Sequence, residues 1–144
     1  MRLIDAYADQ AASDVLYRLL AERPIESCIS HRELPDMAEH ERFIKSRPFR
    51  YWYLLQVDVH YIGALECTDR NEIGVSLLRE YWRQKFAREA LELFMAAHEP
   101  LPAIPAIRNG HWLANIGIRN NGSKRFFASL GFKPLQETIV YDPG

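Results

Sequence analysis

The sequence predicts a mixed α/β fold in which a mostly antiparallel sheet contains a central parallel pair of strands. Three consecutive segments rich in β-forming residues are joined by short connections, which favours an antiparallel meander. The next such segment follows an amphipathic helix, and a connection of that kind favours a parallel crossover. The full predicted order is β-α-α-β-β-β-α-β-α-β, within a single domain that spans residues 1–144.

The N-terminal part is expected to contain one strand and two helices. Residues 2–7 are predicted to form a short strand, and apolar residues on one face predict a helix over 9–22 that Pro24 ends. A second helix is predicted over 35–46, because proline suits a first helical turn and Pro48 closes the far end.

The central part carries the meander and the clearest helix. Strands are predicted at 51–57, 61–67 and 72–78, where β-branched and aromatic residues are frequent. A helix is predicted over 83–97, where apolar residues recur at helical spacing, and a loop with three prolines follows over 98–111. The apolar face of this helix consists of Phe86, Ala87, Ala90, Leu91, Phe94 and Ala97.

The C-terminal part is predicted to add two strands and a short helix. The tract WLANIGI at 112–118 is predicted to be a strand. Asn120 is a suitable cap for a helix over 121–130, and Gly131 is a suitable stop. A final strand over 132–141 completes the predicted sheet.

The composition argues against several classes of function. A formal net charge of −1 lacks the basic footprint that is usual in nucleic-acid-binding proteins. No apolar run reaches the roughly 20 residues of a membrane span, and the N-terminus lacks the apolar segment of a signal peptide. Cys28 and Cys67 form no CxxC pair, and no cluster has metal-ligand spacing. We therefore expect a cytoplasmic protein without nucleic-acid, membrane or metal partners.

An anion site is predicted at the start of the helix over 83–97. The first turn of a helix has backbone N–H groups without internal partners, and the helix dipole adds partial positive charge. Arg83, Lys85 and Arg88 flank this start, and cations oppose the dipole there unless an anion binds. A pyrophosphate would suit these groups, and the alternative interpretation is a basic first turn in contact with solvent.

Two tracts resemble the signature motifs of one enzyme superfamily. The tract EIGVSLLREYWRQKFAREALELF, residues 72–94, resembles the acetyl-CoA motif of the GNAT superfamily, and NNGSKRFFASLGF, residues 120–132, resembles its second signature. The order of elements is similar as well, so the resemblance covers nearly the whole chain. It implies the GNAT fold, acetyl-CoA as co-substrate, and direct attack of an amine on a thioester that lies between the strands at 72–78 and 112–118.

The resemblance also implies a set of cofactor-binding residues. They are Leu77, Arg83, Gln84, Lys85, Phe86, Ala87, Arg88, Asn120, Ser123 and Phe127. The match departs from the family pattern at Trp82, where Gln or Arg is usual, and at Lys85, where glycine is usual. If this position requires a left-handed backbone, lysine costs about 1–2 kcal/mol there. Pairing of the Lys85 ammonium with a phosphate would offset that cost.

Proton transfer requires a base, because an ammonium must lose a proton before it can attack. Glu72, at the start of the strand over 72–78, is the first candidate, and Glu66 is the second. The alternative role of Glu72 is an exposed carboxylate at a strand end. The tyrosine that the family commonly uses as acid is replaced by Phe127, so Tyr141, Tyr81 or water would protonate the departing thiolate, or the thiolate would leave unaided.

The acceptor is the least specified part of the prediction. The tract ISHRELPDMAEHERFI, the following RPFRYWYLL and the LANI segment resemble small N-acetyltransferases of amino-sugar pathways, such as nonulosonic acid biosynthesis. This resemblance implies acceptor contacts from His31, Tyr51, Tyr53 and Asn115, and core packing is the alternative role of the aromatic residues. The expected acceptor is a small-molecule primary amine, with an amino-sugar nucleotide as one candidate. N-acetylation of a protein or peptide and acyl-CoA binding without catalysis are the alternatives, and a homodimer is left open.

Overall fold

The structure, a computed structural model, describes residues 1–24 and 33–144. The strands are β1 (Arg2–Asp5), β2 (Tyr51–Val57), β3 (His60–Cys67) and β4 (Ile73–Leu77), and the helices are α1 (Ala12–Glu22), α2 (Met37–Lys45), α3 (Phe86–Ala97) and α4 (Asn121–Ser129). A short 3-10 helix, Arg79–Tyr81, follows β4. These elements confirm the predicted helices and the first four predicted strands, with ends that differ by a few residues. In the described ranges, no helix is long and apolar enough to cross a membrane.

The four strands form one antiparallel sheet in the order β1-β2-β3-β4. Each strand therefore pairs with its neighbour in sequence, as expected for a meander with short turns. The turn between β2 and β3 uses Asp58 with a positive φ of 55°, a conformation that Asp tolerates better than most residues. This arrangement leaves β4 as an edge strand.

Helices cover both faces of the sheet because side chains alternate along each strand. On one face, α1 and α2 pack over Trp52, Leu54 and Ala64. On the other face, α3 and α4 pack over a second core. The buried members of that second core are Leu55, Ile62, Leu65, Cys67, Ile73, Ala90, Leu91, Phe94 and Phe127.

The predicted central parallel pair is wrong beyond a single bridge. Leu113 lies beside Glu72 in parallel orientation, donating from its N–H to the Asn71 carbonyl (2.9 Å) and accepting from the Ile73 N–H (2.8 Å). The segment 112–118 then leaves β4, and no strand is formed there. The amide of Asn115 bonds the Glu72 carboxylate instead, so a side-chain contact takes the place of the next ladder step.

The predicted strand over 132–141 is also wrong. Phe132 packs against the second core, but the apolar side chains near the far end are exposed, with Ile139, Val140 and Tyr141 at 91%, 86% and 89% of their full accessible surface. A strand needs an adjacent edge to satisfy its backbone groups. The segment 112–118, which was predicted as a strand, forms none in this structure, so β propensity alone does not produce a strand here.

Asn71 anchors the proline-containing loop that precedes this segment. Its side chain is fully buried, and its amide donates to the carbonyls of Leu101 (2.9 Å) and Asn109 (2.8 Å). Its carbonyl oxygen accepts from the Leu101 N–H (2.7 Å). One side chain thus fixes both ends of the loop and determines where the chain returns to β4.

Candidate active site

A large cavity of about 1560 Å³ opens at the β4 edge of the sheet and extends along both of its faces. One part, here called the α1–α2 half, is lined by α1, α2 and the adjoining face of β2 and β3. The other part, here called the α3–α4 half, is lined by the starts of α3 and α4. Single small-ligand sites usually occupy about 300–1,000 Å³, so this cavity has room for two ligands at once.

Glu66 forms the floor of the α1–α2 half. It lies on β3 directly opposite Trp52 of β2 and Gly74 of β4, and all three residues face the same side of the sheet. A Cβ atom on Gly74 would lie 2.5 Å from Glu66 Oε1. Glycine is therefore required at position 74 for the carboxylate to lie flat over the neighbouring strand.

The environment of Glu66 favours its protonated form. Burial raises the pKa of the carboxyl group above its ordinary value, and the nearby charge of Arg23 opposes this rise. Both residues line the cavity. A carboxylate whose pKa is raised binds a proton more readily, which is the property required of a general base.

Glu72 occupies a different environment. Its carboxylate accepts hydrogen bonds from Thr68 Oγ1 (3.0 Å) and from the amide of Asn115. Asn115 lines the cavity, whereas Glu72 is absent from its lining. The structure thus gives Glu72 contacts that hold Asn115 in position, and it gives Glu66 the access that a base needs.

The backbone just before α3 has the left-handed conformation that the glycine of the resembled motif suggested for position 85. Lys85 precedes the helix with a left-handed φ of 65°, and Arg83 has a φ of 62°. The first helical hydrogen bond runs from the Glu89 N–H to the Lys85 carbonyl (3.1 Å). The N–H groups of Phe86, Ala87 and Arg88 precede that bond and have no partner within the helix. The side chain of Lys85, the N-cap residue, makes no capping hydrogen bond.

Several predicted cofactor residues meet in the α3–α4 half of the cavity, together with Arg119. They are Leu77, Arg83, Lys85, Phe86, Ala87, Arg88, Asn120, Ser123 and Phe127. Gln84 does not line it, because its amide donates to the Glu80 carbonyl (3.0 Å). Asn120 caps α4 by accepting from the Ser123 N–H (3.1 Å), and Arg88 Nη2 donates to Ser129 Oγ (2.8 Å), which joins α3 to α4.

The outer edge of β4 presents backbone N–H and C=O groups between Ile73 and Leu77, two residues that already make hydrogen bonds on this edge. The register with β3 directs the N–H and C=O groups of Ile73, Val75 and Leu77 away from β3. The Ile73 N–H bonds Leu113, and the Leu77 carbonyl accepts from Trp82 Nε1 (2.8 Å). Val75 lies between them and lines the cavity, so its outward groups are positioned for a ligand.

Other predicted site residues lie elsewhere. Tyr51 and Tyr53 pack on the α3 face of the sheet, where Tyr53 Oη lies 2.9 Å from His98 Nε2. Tyr141 is 89% exposed and does not line the cavity. His31 lies outside the described residues.

The sequence prediction missed an aromatic wall in the α1–α2 half. Phe43, Phe49 and Trp52 form it, with ring centroids 4.8 Å apart for Phe49–Trp52 and 6.0 Å for Phe43–Trp52. His40, one turn before Phe43 on α2, also lines the cavity. The sequence signal for Trp52 was the alternation of side chains along β2, which places Trp52 on the opposite face of the sheet from Tyr51 and Tyr53.

The described residues provide no activated thiol and no cavity tyrosine. Burial raises the pKa of the Cys67 thiol to about 11, so it stays protonated at neutral pH. None of the tyrosines in ranges 1–24 and 33–144 lines the cavity. No group of three or more potential metal ligands occurs in the same ranges.

Comparisons with known proteins agree with this architecture. An acetyltransferase from Thermus thermophilus has a TM-score of 0.72 at 19% identity, over 94% of this chain and 88% of its own. The aminoglycoside antibiotic 6'-N-acetyltransferase AAC(6')-IG from Acinetobacter haemolyticus, in its apo form, has a TM-score of 0.64 at 16% identity, over 100% and 99%. The protein yncA from Salmonella typhimurium, solved with its cofactor acetyl-CoA, has a TM-score of 0.60 at 16% identity, over 91% and 77%.

These identities are low enough that the similarities establish the fold alone. No curated protein sequence gives a significant match. The family whose model is described as acetyltransferase (GNAT) domain matches residues 4–133. The chain therefore belongs to the GNAT family of acetyl-CoA-dependent acetyltransferases.

Proposed function

We propose that this protein transfers the acetyl group of acetyl-CoA to the primary amine of a small molecule, with Glu66 as the general base. The observation that carries the proposal is the position of the Glu66 carboxylate. It lies over Gly74 in the α1–α2 half, and the other half of the same cavity has a basic helix start. Each half thus has the charge that one of the two substrates requires.

The α3–α4 half suits the phosphates of coenzyme A. The N–H groups of the first turn of α3, together with the helix dipole, favour an anion. Lys85 and Arg83 stand at this turn, and Arg119 lines the same half of the cavity. Cations there oppose the dipole in the absence of an anion, and a pyrophosphate reverses this unfavourable arrangement.

The β4 edge suits the pantetheine arm and the thioester. Val75 offers one N–H and one C=O on the open edge, which are the partners that an extended amide chain needs. The chain at 112–118 forms no bridge to β4 after Leu113, and Val75, Asn115 and Glu66 line the same cavity. An acetyl group placed there would lie between the two halves of the cavity.

The proposed chemistry uses one proton transfer to the protein. The Glu66 carboxylate takes a proton from the acceptor ammonium, and the free amine attacks the thioester carbonyl. The tetrahedral intermediate collapses to the amide, and coenzyme A leaves as a thiolate. The nitrogen of the intermediate still carries a second proton from the ammonium. Because no described tyrosine lines the cavity, this proton passes through water to the departing thiolate.

A small-molecule acceptor is supported by the lining of the α1–α2 half, where Glu66 and aromatic side chains face the same cavity. One of the structural relatives is an aminoglycoside 6'-N-acetyltransferase, which acts on a small molecule. The comparisons give no support for the amino-sugar branch suggested by the sequence tracts.

Calorimetry with acetyl-CoA, followed by a thiol-release assay with a panel of primary amines and one peptide, tests the proposal. We expect binding of acetyl-CoA and thiol release that depends on a small amine. Absence of acetyl-CoA binding at millimolar cofactor would overturn the proposal, and activity on the peptide alone would replace the acceptor class.

A further inference from the structure

We infer that the acceptor is an arylalkylamine, a primary amine joined by a short carbon chain to an aromatic ring. This inference rests on the proposed function and names its substrate class. It is carried by the contents of the α1–α2 half, where an aromatic wall adjoins the proposed base.

The first argument is the distance between the wall and the base. Trp52 and Glu66 are directly opposite each other on neighbouring strands. Side chains in such pairs start about 4.5–5.5 Å apart at Cβ, and the same face continues from Trp52 to Phe49. Trp52 is itself 8% exposed, so a ligand ring would rest on Phe43 and Phe49 in front of it. An ammonium at the Glu66 carboxylate and a ring at that position can therefore belong to one molecule with a short carbon chain between them.

The second argument is the apolar surface that the wall presents. Phe43 and Leu34 line the cavity while each is 49% exposed, and the buried ring of Trp52 lies behind Phe43. Large apolar side chains exposed inside a concave site are typical of ligand contacts. A polyhydroxylated amine such as an amino sugar would leave its hydroxyl groups without partners against this wall, which is unfavourable.

The third argument is charge. Among the described residues, Glu22, Glu33, Glu39 and Glu66 line the α1–α2 half, and Arg23 is the cation that opposes them there. The excess of carboxylates attracts an ammonium ion and orients it away from the basic α3–α4 half. An acceptor that is cationic at one end and apolar at the other matches both the charge and the wall.

A thiol-release assay with matched amines tests the inference. The panel contains phenethylamine, tyramine, tryptamine, glucosamine and one aminoglycoside, each at the same acetyl-CoA concentration. We expect the arylalkylamines to have kcat/KM values at least about 100-fold above glucosamine, because the apolar wall contributes only to their binding. A preference for glucosamine or the aminoglycoside would overturn the inference and leave the proposed function intact.

Variants at the wall provide the second readout. Phe43→Ala should raise KM for phenethylamine about tenfold, the effect of losing one ring contact, and leave KM for acetyl-CoA unchanged. Leu135→Ala is the control, since Leu135 is 61% exposed and does not line the cavity. An unchanged KM for phenethylamine in a folded Phe43→Ala protein would contradict the inference. Failure of the wild-type protein to bind acetyl-CoA would instead refute the proposed function.

Discussion

Replacement of Glu66 by glutamine distinguishes between Glu66 and Glu72, the two carboxylates that the sequence suggests as general base. Glutamine has nearly the same shape, so it fits over Gly74 without a new clash. It cannot accept a proton from an ammonium, and general-base help is worth roughly 10²–10⁴-fold. We expect kcat/KM for the acceptor to fall by at least about 100-fold, with little change in the affinity for acetyl-CoA.

Glu66→Gln should lower activity, but it should maintain or raise the free energy of unfolding. Burial raises the pKa of Glu66 in the folded protein above its unfolded value, so folding favours the protonated form. The stabilising contribution is fully present below the unfolded pKa and is lost as pH rises through the folded pKa. Glu66→Gln should therefore match or exceed wild type in free energy of unfolding at pH 8, with a smaller advantage at pH 5.

The assay combines thiol release across pH 5–9 with urea unfolding at pH 5 and pH 8. Glu72→Gln is the matched control, because it makes the same chemical change in the carboxylate that bonds Thr68 and Asn115. We expect its kcat/KM to fall by less than about tenfold, through looser positioning of Asn115. The reasoning is refuted if Glu66→Gln keeps kcat/KM within about threefold of wild type, or if Glu72→Gln shows the larger loss.

Three further predictions concern backbone geometry and anchoring. Gly74→Ala should lower kcat at least about tenfold in the thiol-release assay, because its Cβ would displace a Glu66 carboxylate that itself remains present. Lys85→Gly should raise the free energy of unfolding in urea by roughly 0.5–1 kcal/mol, because glycine tolerates the left-handed φ of 65°. Asn71→Ala should lower that free energy by about 3 kcal/mol, since three buried hydrogen bonds to the 98–111 loop are lost.

Matched variants accompany these three predictions. Ser76→Ala tests whether any change of side chain on the same face of β4 lowers kcat, and an equal loss there would contradict the Gly74 argument. Lys85→Ala removes the ammonium and keeps the strained backbone, so equal stability of the Ala and Gly variants would contradict the strain. Asn109→Ala removes one exposed side-chain bond to the His111 N–H and should cost less than about 1 kcal/mol.

Local elements of this protein could be predicted from sequence because short-range physics determines them. The 3.6-residue periodicity of α3 and the side-chain cap of α4 by Asn120 depend on neighbouring residues alone. The left-handed backbone at Lys85 was suggested by the glycine of the resembled motif. The strands at 112–118 and 132–141 were not predictable in this way, because a strand also requires a partner edge.

The identity of the candidate site depended on tertiary structure. The sequence shows that Glu66 and Glu72 are both carboxylates near strand ends, and it nominated Glu72 first. Our proposal of Glu66 rests on register and contacts, since Glu66 lies over Gly74 and opposite Trp52 while Glu72 is held by Thr68 and Asn115. Neither property can be read from one strand, because each depends on which residues the neighbouring strands place alongside.

The aromatic wall also depends partly on sequence and partly on tertiary structure. Alternation along β2 determines from sequence that Tyr51 and Tyr53 share one face and that Trp52 occupies the other. Only the packing of α1 and α2 determines that the Trp52 face carries the α1–α2 half of the cavity. On the other face, α3 packs against Tyr51 and Tyr53. The sequence by itself thus determined the family and the strand faces, and the helix packing determined which face is available to a substrate.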